Sequence, residues 1–238
     1  MKVTYIQHSG FAVELPRKTL LFDDYTGTLP PFDRGKPLYV FASHRHHDHF
    51  DPVVFDLAKT YDVKYILSND IRMRPDGLDI TKVGPRKAID VDDLHIETLK
   101  STDEGVAFLI ETEGVSIYHA GDLHFWLWEE ENDEDRLWNE NMSRKFPAEI
   151  DRIRGRRFDL AFLPLDPRQP EEHRARGMEV FLDRCTADHI FPMHCWEDYS
   201  VIPAYLETPP DHAQAVHTVT APGQVFELNQ NELLHKRS

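Results

Sequence analysis

The sequence predicts an α/β sandwich with helices on the outside, and three features carry that reading. The first half is a series of short β-rich runs broken by glycine and polar turns. The second half alternates helical patterns with strand-like runs. Such a change from meander to helix–strand alternation suits sheets whose faces are covered by helices. Finally, 238 residues with a 40% hydrophobic fraction suit one large domain, taken here as 1–238, with a sizeable core.

The strand readings run in order through KVTYIQ, FAVEL, TLLFD, LYVFAS, KYIL, LHIETLK, VAFLIET and VSIYHA, with Gly105 and Gly114 as turns. Asp51 followed by Pro52 reads as an N-cap and first helical residue, so PVVFDLAKTY is expected as a helix. Further helices are expected near 134–145, 147–154, 176–185 and 198–206, interleaved with the strands DLAFLPL and HIFPMH. QVFEL closes the pattern, and the polar end NQNELLHKRS reads as frayed.

Charge narrows the functional classes. The 42 acidic residues against 27 basic ones leave a net charge of −15, which disfavours a nucleic-acid partner, since such binding rests on Lys and Arg neutralising phosphates. The acidic run EEENDED (129–135) reads as a solvated loop or helix face. The opening MKVTYIQHSGF has no apolar signal region, and no apolar run is long enough to span a membrane. Two cysteines, Cys185 and Cys195, read as reduced thiols of a cytoplasmic protein.

One stretch stands apart. FASHRHHDHFDP holds His44, His46, His47, Asp48 and His49 at the junction between a strand and the expected helix. Divalent metals need several lone-pair donors converging at about 2.0–2.2 Å, and imidazole and carboxylate are the usual zinc ligands. His44 and His46 share a parity and can grip one ion, while Asp48 and His49 can reach a second after the chain turns. His47 points elsewhere. Asp122 in YHAGDLH and His194 in IFPMHCW also stand at strand ends, and Gly121 permits a close approach beside Asp122.

These motifs resemble the metallo-β-lactamase superfamily, whose H-x-H-x-D-H signature stands here as His44 to His49. The style HSGF, LLFDD, GVAFLIE, YHAGD, PMH is most similar to small metal-dependent hydrolases that include ascorbate-6-phosphate lactonase. The resemblance implies an αββα four-layer sandwich, two mixed β-sheets packed face to face with helices outside. It implies that Asp122 bridges two metals, that His194 completes the second site, and that Asp23 supports the metal loop.

The sequence departs from that family where it normally supplies a third histidine to the first metal. The corresponding loop, LKSTDEGVAF, has none, and His95 lies too early. Asp103 can replace it, giving a harder site friendlier to manganese or iron. Alternatively His44, His46 and Asp122 suffice, with water completing the site. A third arrangement is mononuclear, on Asp48, His49, Asp122 and His194.

The expected function is therefore that of a metal-dependent hydrolase with one or two divalent ions, zinc first. It would use a metal-bound hydroxide, with Asp48 and Asp122 as catalytic residues, on a small ester, lactone or phosphodiester. The rival readings are a nuclease and a non-catalytic metal-binding protein with a degraded first site. Among other residues, His8 and His124 are candidates for the pocket, and His119 reads as core or a support for the site. Trp126, Trp128 and Trp196 read as packing, Arg168 as a fork for an anionic substrate, and Cys195 as a buried neighbour.

Overall fold

The computed structural model describes residues 1–207 and 213–229. Its first sheet runs from edge to edge as β13 (Val225–Glu227), β1 (Lys2–Gln7), β2 (Gly10–Glu14), β3 (Thr19–Phe22), β4 (Leu38–Ala42), β5 (Val63–Ser68) and β6 (Asp79–Val83). The second runs β12 (Thr186–Met193), β11 (Arg157–Pro164), β10 (Val115–His119), β9 (Val106–Thr112), β8 (Leu94–Lys100) and β7 (Ala88–Val91). Both sheets are mixed. Pairings β3–β4–β5–β6 and β10–β11–β12 are parallel, and the hairpins are antiparallel.

Strand alternation sorts the side chains into layers. Phe11, Val13, Leu20, Phe22, Tyr39 and Phe41 of the first sheet pack with Phe108, Ile110 and Phe162 of the second in one core. Their neighbours Ala12, Leu21, Leu38, Val40 and Ala42 form a separate cluster on the other face of the first sheet, with Val54. That face is covered by a helix at Pro52–Lys59. Over the outer face of the second sheet lie α1 (Asp133–Ile150) and, beyond the short α2 (Glu171–Arg174), α3 (Arg176–Leu182). Phe181 of α3 stacks on Tyr118 of β10 at 4.7 Å between ring centroids. The expected αββα sandwich is the observed architecture.

Several elements differ in detail. The helix expected at PVVFDLAKTY does have Asp51 as N-cap, accepting from Val53 N–H at 2.7 Å, but it is a 3-10 helix. Its tight spacing is already present in the Val54 N–H to Asp51 carbonyl bond. The two helices expected at 134–145 and 147–154 are one continuous α1 followed by a 3-10 turn. Pro147 removes a backbone donor and its ring crowds the carbonyl four residues back, yet it stands in the last turns of α1 and the helix runs on through it to Ile150. The acidic run caps this helix: Asn132 accepts from Glu134 and Asp135, and first-turn carboxylates face the positive end of the dipole. The helix expected at 198–206 is α4 (Val201–Glu207).

β6 and β7 were not legible in the sequence. Both are edge strands, half-exposed, and lack the apolar runs of central strands. The polar end expected to fray lies, from Gln230 onward, outside the described residues. Cys185 and Cys195 are buried free thiols. Among the described residues no helix is long and apolar enough to cross a membrane.

Candidate metal centre

The parallel strands bring their C-terminal ends to one edge of the sandwich, and the candidate residues gather there. The β1–β2 turn carries His8, β3 ends in Asp23, and β4 leads into the 44–49 loop. The β8–β9 turn carries Asp103, β10 leads to Asp122, β11 to Asp166 and Arg168, and β12 to His194. The two sheets are stitched at this edge by a hydrogen bond from Val106 N–H to the Ser43 carbonyl at 3.0 Å.

Two glycines permit this approach. Gly105 has φ +70°, and a Cβ there would stand 2.0 Å from the Ser43 carbonyl and 2.5 Å from His44 Cβ. At Gly121, φ is +50° and a Cβ would lie 2.6 Å from Ser43 Cβ. Three non-glycine residues of the site are also left-handed, His8 at φ 56°, Asp23 at 42° and His194 at 64°. Such conformations are costly for side chains of this size and concentrate where geometry serves function.

All seven predicted metal residues come together, in two adjoining groups. His44, His46, Asp103 and Asp122 offer ligand atoms within 4.8 Å of one another, and so do His8, Asp48, His49 and His194. Asp122 stands between the groups. Its Oδ2 lies 3.4 Å from His44 Nε2, while Oδ1 lies 3.1 Å from His49 Nε2 and 3.3 Å from His194 Nε2. Asp103 Oδ2 is 3.4 Å from His46 Nδ1, and Asp48 Oδ2 is 3.5 Å from His8 Nε2.

A metal fits this arrangement on a specific observation. The Nε2 atoms of His8, His49 and His194 and Oδ1 of Asp122 are buried without hydrogen-bond partners among the described residues. Unsatisfied buried polar atoms are costly; the three imidazoles belong to one group and Asp122 Oδ1 lies beside two of them, which matches a divalent ion's demand for lone pairs.

Supporting groups aim the imidazoles. The Asp23 carboxylate bonds Nδ1 of His49 at 2.7 Å and accepts from Ser43 through both N–H and Oγ–H. Ser43 Oγ in turn lies 3.0 Å from His44 Nδ1. Asp166 bonds His194 Nδ1 at 2.9 Å and is itself forked by Arg168. Each contact leaves the opposite ring nitrogen facing the centre.

The electrostatics agree. Burial lowers the pKa of His8 and of His44 to about 4, keeping their lone pairs free of protons at neutral pH. Burial also works against ionisation of Asp122, yet His49, His194 and His44 outweigh it and hold the carboxyl well below its usual range. Burial would likewise lower His49, but Asp122 and Asp23 raise it well above the usual value. The centre therefore attracts positive charge, which a divalent ion would supply.

Other residues settle differently. His8 belongs to the second group, a position that spacing could not reveal because its turn meets the other loops only in the folded chain. His124 is buried and bonded to Gln169 at 2.6 Å, outside both groups. His119 is core, stacked on Phe22 and bonded to the Ser9 carbonyl. His47 is solvent-exposed and His95 pairs with Asp90. Arg168 spends its fork on Asp166 and lies 4.5 Å over the Trp196 ring. Burial pushes the Cys195 thiol up to about 12. Trp126 and Trp128, with Trp138, line a cavity of about 310 Å³ whose other walls include His46, Asp48, Asp103, Asp122 and His194.

A model of the Beta-lactamase superfamily domain matches residues 2–136. A UPF0173 metal-dependent hydrolase of Opitutus terrae is 31% identical, over 51% of this chain and 63% of that protein. One from Alkaliphilus metalliredigens is 29% identical over the same shares. The match thus spans less than two thirds of these relatives' length. Igni18, a metallo hydrolase from Ignicoccus hospitalis, superposes with a TM-score of 0.65 at 18% identity, covering 96% of this chain and 99% of its own. The metallo-beta-lactamase fold protein YhfI of Bacillus subtilis gives 0.58 at 14%, covering 95% and 99%. With the family match spanning more than half the chain and ending beyond Asp122, this protein belongs to the beta-lactamase superfamily.

Proposed function

We propose that the chain is a metal-dependent hydrolase of a small ester, lactone or phosphodiester. The observation that carries this reading is the placement of Asp122, whose two oxygens face two separate groups of buried imidazoles and carboxylates. His44, His46 and Asp103 with Asp122 would hold one ion, Asp103 taking the place of a third histidine. His8, Asp48, His49 and His194 with Asp122 would hold the other. Imidazole and carboxylate donors suit zinc first, and the carboxylate-rich first group also suits manganese or iron.

Bound divalent ions supply Lewis acidity and a water of lowered pKa. The chain's residues do the rest. Asp23 and Asp166 fix the rings of His49 and His194, so the donor set is organised before substrate arrives. Asp48, half-buried at the cavity wall, would help orient a nucleophilic water. Trp126, Trp128 and Trp138 present an apolar wall sized for a small molecule. The two buried free thiols fit a reducing, cytoplasmic setting.

The test is turnover of a p-nitrophenyl ester, an aliphatic lactone and bis(p-nitrophenyl) phosphate by metal-replete protein. Asp122→Asn should lower the rate by about two orders of magnitude or more. Undiminished turnover in that variant would remove the proposed centre, and no turnover of any probe with full metal loading would favour a non-catalytic metal-binding role.

A further inference from the structure

On a chain of net charge −15, one groove gathers basic residues. A cavity of about 520 Å³ is lined by Arg86, Lys100, Arg144, Lys145 and Arg152, with Ser101 and Thr102 at its polar wall. Only two carboxylates line it, Asp103 and Glu149. Two regions far apart in sequence build it: the β7–β8 hairpin, through the approach to β7 and the end of β8, and the C-terminal part of α1 with the turn that follows.

Glu149 organises this groove. It is buried, takes a forked contact from Arg86 at 2.7–3.2 Å, accepts from Lys100 N–H at 2.9 Å, and lies 3.8 Å from Arg152. One carboxylate thus anchors two guanidiniums while cancelling only one charge. Among the described residues, Lys100, Arg144 and Lys145 have no ion pair, and all three are exposed. Arg144 bonds only the neutral Asn141 side chain. The groove therefore carries a net positive charge on a chain whose net charge is negative.

Its position gives that charge a use. Asp103 lines both this groove and the cavity at the metal centre, so the two adjoin at a candidate ligand. We propose that the groove is the subsite for a phosphate group on the small-molecule substrate, whose scissile bond reaches the centre past Asp103. This rests on the hydrolase reading above. Clustered guanidinium and ammonium groups match a phosphate dianion, and they offset the repulsion that the chain's net charge imposes on an anionic substrate. The metal-side cavity has three tryptophans and one guanidinium, Arg168, which is forked to Asp166, whereas the groove supplies five basic side chains, so the two ends would recognise different parts of one molecule.

The test is calorimetric binding of glycerol 3-phosphate, with glycerol as its uncharged counterpart, to metal-replete protein at low salt. Native protein should bind the phosphate ester and not glycerol. The exposed double variant R144E/K145E should weaken binding about tenfold or more, with an unchanged melting temperature and unchanged turnover of an uncharged ester. Asp122→Asn should retain the binding. No binding by native protein, or equal binding by the double variant, overturns the subsite. Far tighter, salt-sensitive binding of a short single-stranded RNA through the same two residues would overturn it in favour of a nucleic-acid groove. Groove binding without turnover of any probe would instead fault the hydrolase reading, and turnover without groove binding would fault the subsite alone.

Discussion

Asp166 bonds Nδ1 of His194 at 2.9 Å, and its own carboxylate is held by the Arg168 fork. Burial would raise the Asp166 carboxyl, but the His194 and Arg168 contacts hold it below its usual range, so it remains an acceptor. The imidazole is thereby oriented with Nε2 toward Asp122. Asp166→Asn keeps the shape while removing the charge. It should weaken metal binding by about 10–100-fold, read by chelator competition. Unchanged affinity would show that backbone constraint alone orients His194.

Metal stoichiometry tests Asp103. Protein purified without chelator should hold two ions per chain by elemental analysis, falling to one in Asp103→Ala, whose side chain is 39% exposed and carries little packing. One ion in both proteins would mean a mononuclear centre. Stripping the metal should lower the melting temperature by several degrees, because a ligand at a thousandfold excess over its dissociation constant stabilises by about 4 kcal/mol.

Gly105→Ala tests the joint between the sheets. The added methyl would lie 2.0 Å from the Ser43 carbonyl, on a backbone with φ +70°. A loss of about 2–4 kcal/mol is expected from urea denaturation. A midpoint within error of native would show that the two loops can separate without cost.

Asp24 gives a pH signature. Burial, with the Asp51 charge, raises its carboxyl from 3.8 to about 7. The folded state then binds more protons than the unfolded chain between about pH 4 and pH 7, so stability falls as pH rises through that window. Asp24→Asn should be more stable than native by up to about 4 kcal/mol at pH 8, with the difference vanishing near pH 4, in paired thermal melts. Equal melting temperatures at pH 8 would contradict the burial argument.

The sequence by itself determined the family and marked most residues of the candidate centre. H-x-H-x-D-H places its donors within one loop, and Asp122 and His194 each follow an apolar strand, so their local context marks them. The central strands were legible because burial on both faces demands continuous apolar runs, as in LYVFA and VAFLIE. Edge strands β6 and β7 carry no such demand and left no comparable pattern.

Tertiary structure alone decided which groups share a point in space. His8 lies 186 positions from His194 in sequence, yet their rings are 4.0 Å apart, because β1–β2 and β12 end at the same edge of the sandwich. Arg168 looked free to bind substrate and instead holds Asp166, a choice set by proximity and charge after folding. The basic groove is assembled from α1 and the turn after it, the end of β8 and the approach to β7, whose basic residues meet only in the folded chain. Local patterns record what each segment must bury. Chain crossings between sheets decide what those segments bring together.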